Sequence, residues 1–178
     1  GLSVGEHGLL GKQSPYESAI RVPLIFDGPG IPQGKRVKGY VYLNDVYPTL
    51  CELAGIPAPA TVEGRSLGKA FADGSSFAGR DHVVFSYLNL QRAIVQGGFK
   101  LIRYNVNGQF PVQLFDLTKD PLEMNNLAGQ ASYKDKEAAL SALLRKTLKE
   151  MGDFCDPGKP GWGAPKKWES EDVNKLNP

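Results

Sequence analysis

The sequence predicts an α/β segment followed by a small α+β subdomain with a four-stranded antiparallel sheet and one packed helix. A short apolar run at residues 22–26 ends at Asp-Gly-Pro-Gly, which is typical of a strand buried in an α/β sheet. Four runs rich in β-branched and aromatic residues then follow one another with no helical segment between them. They are residues 83–87, 92–96, 99–104 and 112–117. An amphipathic segment after them predicts the helix that covers this sheet.

The first region begins with a glycine-rich segment. Four glycines within residues 1–12 predict a loop, because they recur too often for a stable helix or strand. A helical turn is predicted at residues 14–21, where Glu17 and Arg21 stand at the i, i+4 spacing that lets opposite charges meet.

Residues 44–54 predict a helix with clear signals at both ends. Asn44 or Asp45 can cap its first turn, and Gly55 suits the left-handed position that ends a helix. An apolar face is expected at helical spacing. It consists of Val46, Leu50, Leu53 and Ala54.

The second region carries a hairpin signal and a helix signal. Gly97-Gly98 lies between two strand candidates and predicts a two-residue turn. Ser132 and Asp135 have the spacing of a capping box. The helix that follows has one apolar stripe. The stripe consists of Leu140, Leu143, Leu144, Thr147, Leu148 and Met151.

Three parts of the chain are predicted. Residues 1–80 form the end of the α/β domain, residues 81–151 the sheet and helix, and residues 152–178 an extended tail. The tail either wraps a neighbouring surface through Trp162 and Trp168 or is disordered. The first part should leave apolar faces open, because it holds one strand and one helix of a larger sheet, so association through its exposed face is expected.

Composition excludes several classes of protein. The net charge of +2 is too small for an electrostatic nucleic-acid binder, so no nucleic-acid partner is expected. The longest apolar stretch is far too short to span a membrane. Cys51 and Cys155 stand too far apart for a CxxC pair, and we expect one buried and one surface thiol.

Catalytic patterns are scarce in the sequence. The chain has two histidines, His7 and His82, and it contains no HxxxH or P-loop motif. His82 follows Asp81 at a strand start, which favours a structural role. His7 and Lys12 share the glycine-rich loop. A lysine there is either a solvated loop residue or a cation that holds a tetrahedral oxyanion such as sulfate or phosphate.

Three groups of short motifs occur in order along residues 1–150. The first is a glycine-rich loop with a lysine, Tyr-Glu, Arg-x-Pro-Leu and Pro-Gly, at residues 1–12, 16–17, 21–24 and 29–30. The second is Asp-x-x-Pro-Thr, Leu-Ala-Gly and Gly-x-Ser-Leu, at residues 45–49, 53–55 and 64–67. The third is Leu-Phe-Asp-Leu, Asp-Pro-x-Glu and Asn-Leu, at residues 114–117, 120–123 and 126–127. Together they resemble the motifs of the sulfatase family.

The resemblance implies an alkaline-phosphatase-like fold, of which this chain looks like the C-terminal part, beginning just after the last metal ligands. Sulfatases hydrolyse sulfate esters with a formylglycine made in a C/S-x-P-S/A-R motif. Neither Cys51 nor Cys155 stands in that motif, and no serine starts it. The formylglycine and the calcium ligands are therefore expected outside this chain, with no metal ligand inside it, and the chain alone is expected to be inactive.

The resemblance also assigns the two loop residues. Lys12 is the catalytic residue and binds the sulfate group of the substrate, and His7 is a second substrate-binding candidate. The expected substrate is a sulfated small molecule or glycan, with residues 105–111 as one loop that sets specificity. The family implies a periplasmic, secreted or lysosomal location. Two alternatives stay open: a phosphonate or phosphodiester hydrolase of the same superfamily, and a noncatalytic interaction module.

Overall fold

The fold is described from a computed structural model, which covers residues 1–72, 77, 79–153, 155–159 and 162. Its contacts divide the chain into two compact units. One unit joins Gly1–Val22 to Val84–Pro178, and the other is Pro23–Val83. The predicted boundary after residue 80 lies close to the junction at residues 83 and 84. The boundary after residue 22 was not expected, and the membership of residues 1–80 in a larger α/β domain stays a prediction.

Six strands and four α-helices are present in the described residues. The strands are β1 (Ser3–Val4), β2 (Leu10–Gly11), β3 (His82–Tyr87), β4 (Gln91–Gln96), β5 (Phe99–Tyr104) and β6 (Val112–Asp116). The helices are α1 (Glu17–Ile20), α2 (Val46–Leu53), α3 (Gly68–Ala72) and α4 (Lys134–Glu150).

The larger sheet has the strand order β3-β4-β5-β6. The pairs β4/β5 and β5/β6 are antiparallel, with Leu101 opposite Ile94 on one side and Leu114 on the other. The four-stranded antiparallel sheet and its packed helix are therefore confirmed. Local sequence was sufficient here because each strand is a short β-prone run bounded by turn residues.

The turn between β4 and β5 is the predicted one. Gly97 and Gly98 have φ angles of 56° and 79°, as a two-residue hairpin turn with both central residues left-handed requires. A Cβ at Gly98 would lie 2.6 Å from the Thr118 methyl group, whereas nothing lies within 4 Å of one at Gly97.

Replacing Gly98 with valine is expected to lower the free energy of unfolding by about 1 kcal/mol or more, because a β-branched residue is strained at positive φ. The clash with Thr118 adds to that cost. Urea unfolding of the full-length protein measures the change. Gly97→Val is the matched control, since it has the same backbone strain without the clash. An unchanged midpoint for Gly98→Val would contradict the turn assignment.

The sheet is covered on both faces. One face packs on α4 through a buried cluster. This cluster consists of Val84, Ile94, Leu101, Leu114, Leu140, Leu144 and Leu148. The other face holds Ala93, Ile102 and Phe115, and Tyr16 packs on them. Residues from near the chain start thus form the second layer of this unit.

The buried face of helix α4 agrees with the predicted apolar stripe, but the helix differs from the prediction at both of its ends. Leu140, Leu144 and Leu148 are buried as expected, but Met151 lies beyond the last helical residue and is 65% exposed. The expected capping box is absent, because Ser132 lies in a 3₁₀ turn, Ala131–Tyr133, and no side chain caps α4. The 3₁₀ turn occupies the place where the capping residue would stand.

The described part of the tail returns to the sheet. The Nε and Nη2 atoms of the buried Arg92 donate to the Asp153 carboxylate at 2.7 and 3.2 Å. Asn105 donates to the backbone oxygen of Trp162, whose buried ring lies 5.8 Å from the Arg92 guanidinium. Trp162 therefore packs on a surface of its own chain, while Trp168 lies outside the described residues.

The unit Pro23–Val83 contains the predicted helix as α2, preceded by a 3₁₀ turn, Leu43–Asp45. Gly55 has a φ of 68°, as expected of a left-handed helix end. The predicted apolar face is present on α2 but is not its buried face. Leu50 is 52% exposed, whereas Thr49 and Cys51 are buried.

The strand expected at residues 22–26 is absent, and Ile25 is 85% exposed. A strand buried in an α/β sheet needs hydrogen-bonded neighbours. The described part of this unit offers a single bridge, between Tyr40 and Arg80. The expectation of one surface thiol is also wrong, because Cys51 and Cys155 are both buried and unbridged.

Among the described residues, none of the helices combines the length and apolarity that a bilayer span needs.

Candidate functional site

The glycine-rich segment is a small hairpin rather than an irregular loop. Strands β1 and β2 pair antiparallel with Val4 opposite Leu10, and a 3₁₀ turn, Glu6–Gly8, connects them. Glycines stand where the backbone turns, with Gly5 at a φ of 114° and Gly11 at 124°. The sequence favoured a loop because two-residue strands leave no periodic pattern to detect.

Lys12 directly follows β2 and is exposed. Its backbone N–H donates to the Gln13 side-chain oxygen at 3.1 Å. The side chain therefore stands at the open end of the hairpin, where its ammonium group can meet an anion. An exposed ammonium brings three donors and one positive charge, which suits a sulfate or phosphate group.

His7 lies in the turn, at the other end of the hairpin from Lys12. Its φ of 54° is left-handed, which is uncommon for a residue with a side chain. Its ring stacks on Tyr16 with 3.8 Å between centroids and 5° between planes. The two predicted site residues therefore lie on the same hairpin but at opposite ends of it. Their roles stay predictions.

The hydroxyl group of Tyr16 is also held by hydrogen bonds. Its hydroxyl donates to the Gln113 side-chain oxygen at 2.8 Å, and Tyr104 donates to the same oxygen at 2.8 Å. Burial, then the hydrogen bond to Tyr16, raises the pKa of Tyr104 far above its usual range. The Tyr16 ring that stacks on His7 is therefore held in place by its hydrogen bond to Gln113, which Tyr104 also binds.

A buried cation, Lys100 on β5, holds the next residues. Its side chain is fully buried, and Nζ donates to the backbone oxygen of Pro15 at 2.9 Å. The same nitrogen lies 2.8 Å from Glu17 Oε1 and 2.7 Å from Glu123 Oε1. One ammonium thus donates a hydrogen bond to a carbonyl and forms ion pairs with two carboxylates.

Glu123 completes this cluster from the turn after β6. It is buried, its φ is 58°, and its Oε2 accepts the backbone N–H of Glu17 at 2.6 Å. The sequence indicated Glu17 as the i, i+4 partner of Arg21 and as part of a family motif, and Glu123 only as part of a family motif, but it did not indicate Lys100. A lysine between Phe99 and Leu101 in a strand candidate was the available signal, because a buried lysine needs a charged partner.

The Asp-Pro-x-Glu turn is itself rigid. Asp120 Oδ2 accepts the backbone N–H of Asn125 at 2.7 Å, and backbone N–H groups lower the pKa of this carboxyl, with a further contribution from His7. The turn that carries Glu123 is therefore held by its own hydrogen bonds, and Glu123 binds the first residue of α1.

The family model described as N-sulphoglucosamine sulphohydrolase, C-terminal, matches residues 5–150. The chain belongs to the sulfatase family. It is 33% identical over 147 residues to a sulfatase of Formosa agariphila, covering 83% of this chain and 28% of that protein. It is 31% identical over 168 residues to an N-acetylglucosamine-6-O-sulfatase of Bacteroides thetaiotaomicron, covering 86% and 29%. This sulfatase segment thus spans less than a third of the length of these relatives.

Solved sulfatases share its fold. One structure, of an enzyme in complex with its substrate D-glucosamine-2-N,6-O-disulfate, matches with a TM-score of 0.77 and 29% identity, over 89% of this chain and 34% of the other. A 2-O GAG sulfatase matches with a TM-score of 0.67 and 31% identity, over 83% and 34%. The alkaline-phosphatase-like C-terminal fold expected from the motifs is confirmed. A phosphonate monoester hydrolase of Silicibacter pomeroyi, 22% identical with a TM-score of 0.65, shares the fold alone.

Proposed function

We propose that the protein carrying this chain hydrolyses sulfate esters of a sulfated carbohydrate, and that Lys12 holds the sulfate group. The observation that supports this most directly is the exposed ammonium at the end of a hairpin whose following residues are fixed on the sheet. The names of the relatives support the substrate class, since one is an N-acetylglucosamine-6-O-sulfatase and a solved neighbour holds a disulfated glucosamine.

Lys12 would stabilise the negative charge that develops during the reaction. In sulfate-ester cleavage, negative charge builds up on the leaving oxygen while the sulfate oxygens stay anionic. A fixed ammonium beside these oxygens stabilises that charge more than it stabilises the bound substrate, and so accelerates the reaction. His7, at the other end of the hairpin, would be a second contact for the substrate, with its ring held by stacking on Tyr16.

The other chemical requirements do not fit residues of this chain. Sulfate-ester hydrolysis needs a strong nucleophile, and a divalent cation supplies further charge stabilisation. Cys51 and Cys155 are buried and stand outside the formylglycine motif. Within the described residues, no group of three or more His, Cys, Asp or Glu is placed to hold a metal. We therefore assign formylglycine and calcium to other parts of the whole protein.

The 178-residue chain alone is expected to show no hydrolysis of an aryl sulfate in the presence of calcium, because it supplies a positive charge but no nucleophile. The full-length protein is expected to be active and to lose activity when calcium is chelated. Turnover assays on the two proteins, at equal concentration, test this. Metal-dependent turnover by the chain alone would contradict the assignment, and an inactive full-length protein would contradict the proposed reaction.

Two alternatives have distinct outcomes in the same assay. A phosphonate or phosphodiester hydrolase would prefer aryl phosphonates or diesters, since Lys12 suits a phosphoryl group as well. Its support is the shared fold with a phosphonate monoester hydrolase. A noncatalytic module would bind sulfated sugars, or a protein, without turnover of any ester.

The unit Pro23–Val83 also exposes apolar side chains around α2. We propose that this surface associates with another part of the whole protein, because so much exposed apolar area is typical of an interaction site. The residues are Leu43, Tyr47, Leu50, Leu53 and Ile56. A periplasmic, secreted or lysosomal location accords with the proposed family role.

A further inference from the structure

We propose that Lys100 is a positioning residue for the substrate hairpin, so that the C-terminal sheet fixes the place of Lys12 rather than only completing the fold. This inference rests on the proposed function of Lys12. It assigns a role to a buried lysine that lies on the sheet, outside the hairpin itself.

The first argument is the position of what Lys100 holds. Its Nζ binds the backbone oxygen of Pro15 and the carboxylate of Glu17, three and five residues after Lys12. Pro15 is buried, while Lys12 is exposed. Only two residues therefore separate the buried Pro15 from Lys12. A shift of Pro15 would also move Lys12.

The second argument is that residues from distant parts of the chain hold α1 in place. Glu123 pairs with Lys100 and also accepts the N–H of Glu17, which is the first residue of α1. At the next residue of α1, Ser18 Oγ lies 2.9 Å from the Oγ of Ser3, on β1 of the hairpin. A continuous chain of contacts thus runs from β5 through α1 to the hairpin.

The third argument is energetic. A buried ion pair contributes little net stability, because the desolvation of both partners offsets their attraction. Replacing such a pair by well-packed apolar residues is often neutral or stabilising. Retaining a fully buried lysine with two carboxylates is therefore better explained by the geometry it fixes than by the stability it adds.

The test compares two buried cations of the same sheet in the full-length protein. Lys100→Met releases the residues before α1, whereas Arg92→Met breaks the buried pair with Asp153 that holds the tail. Hydrogen exchange in residues 1–17 is expected to rise at least about tenfold in Lys100→Met and to change little in Arg92→Met. Glu17→Gln, which leaves Lys100 paired with Glu123, is expected to give a smaller rise in the same segment and serves if Lys100→Met fails to fold.

Kinetics separate positioning from a loss of stability. Lys100→Met is expected to lower kcat/KM on a sulfate ester about 10-fold to 100-fold, while Arg92→Met keeps it within about twofold. In a Lys12→Ala background, Lys100→Met should lower kcat/KM no further, because it acts through Lys12.

Equal exchange in residues 1–17 for the two methionine variants, or for Glu17→Gln and the unmodified protein when Lys100→Met does not fold, would overturn the proposal. Fully additive kinetic losses in the double variant would do the same. Failure of the proposed reaction has a different signature, since the unmodified protein would then show no turnover while the exchange result still decides the positioning role.

Discussion

Replacing Lys12 with alanine in the full-length protein is expected to lower turnover of a sulfate ester about 100-fold or more. Losing one contact to the charge that develops in a transition state has an effect of this size. Folding should be unchanged, because the Lys12 side chain is exposed and its backbone N–H, which alanine retains, makes the hydrogen bond to Gln13. Steady-state kinetics with an aryl sulfate, together with a thermal melt, measure both quantities.

The matched control is Lys119→Ala. Lys119 is also an exposed lysine of the same unit, and its 3.6 Å contact is with Asp116 of β6, not with a hairpin residue. Its removal should leave kcat and the melting temperature unchanged within error. A Lys12→Ala enzyme as active as the Lys119→Ala enzyme would remove Lys12 from the reaction.

The largest expected effect on stability concerns Asp45. This carboxylate is fully buried and accepts from the guanidinium of Arg80, at 2.7 Å for Nη2, and from the backbone N–H groups of Arg65 and Tyr42, each at 2.8 Å. Asp45→Ala leaves the mostly buried Arg80 without its partner. The expected loss is about 3–5 kcal/mol in the free energy of opening of this unit, measured by hydrogen exchange of the α2 amides.

Asp156→Ala is the control for Asp45→Ala. Asp156 accepts from Arg145 at a similar distance, 2.7 Å, but in an exposed pair, and the hydrogen bonds from Arg145 are the main reason that its pKa falls to about 2. Exposed pairs contribute between zero and about 1 kcal/mol. Equal, small effects of the two substitutions would show that Asp45 does not hold its unit together.

The pH dependence of the unit Pro23–Val83 follows from the same carboxylate. Burial acts to raise the pKa of Asp45, but the hydrogen bonds from Arg80, Arg65 and Tyr42 outweigh it and hold the pKa below its usual value. The folded unit therefore binds this proton more weakly than the unfolded chain. Its contribution is present above pH about 4 and is lost as the pH falls through the lower folded pKa. Asp45→Ala should flatten this acid dependence.

The parts of the fold that sequence predicted are those determined by neighbouring residues. The Gly97-Gly98 turn, the strands on either side of it and the stripe of α4 each carry their signal within a few positions. The second face of the sheet has no such signal. Tyr16 reaches Phe115 across about a hundred residues of chain, and no pattern in either segment points to the other.

The same distinction holds for the candidate site. Lys12 and His7 could be chosen because a glycine-rich loop with a cation is a local pattern that also resembles a known family. Lys100 could not be connected to them, because its partners Glu17 and Glu123 come from segments far apart in the sequence. The strand expected at residues 22–26 failed for the related reason that an apolar run becomes a strand only beside a partner.

The sequence separations at the Lys100 cluster also order the events of synthesis. The bonds from Lys100 to Pro15 and from Glu17 to Glu123 close segments of 85 and 106 residues. The hairpin leaves the ribosome before the residues that hold it, which are complete only when the chain has passed Glu123. Closing segments of this length is entropically costly and slow. Nascent chains stopped before residue 123 are therefore expected to carry a formed unit Pro23–Val83 and an unanchored Lys12, so that catalytic competence is acquired last.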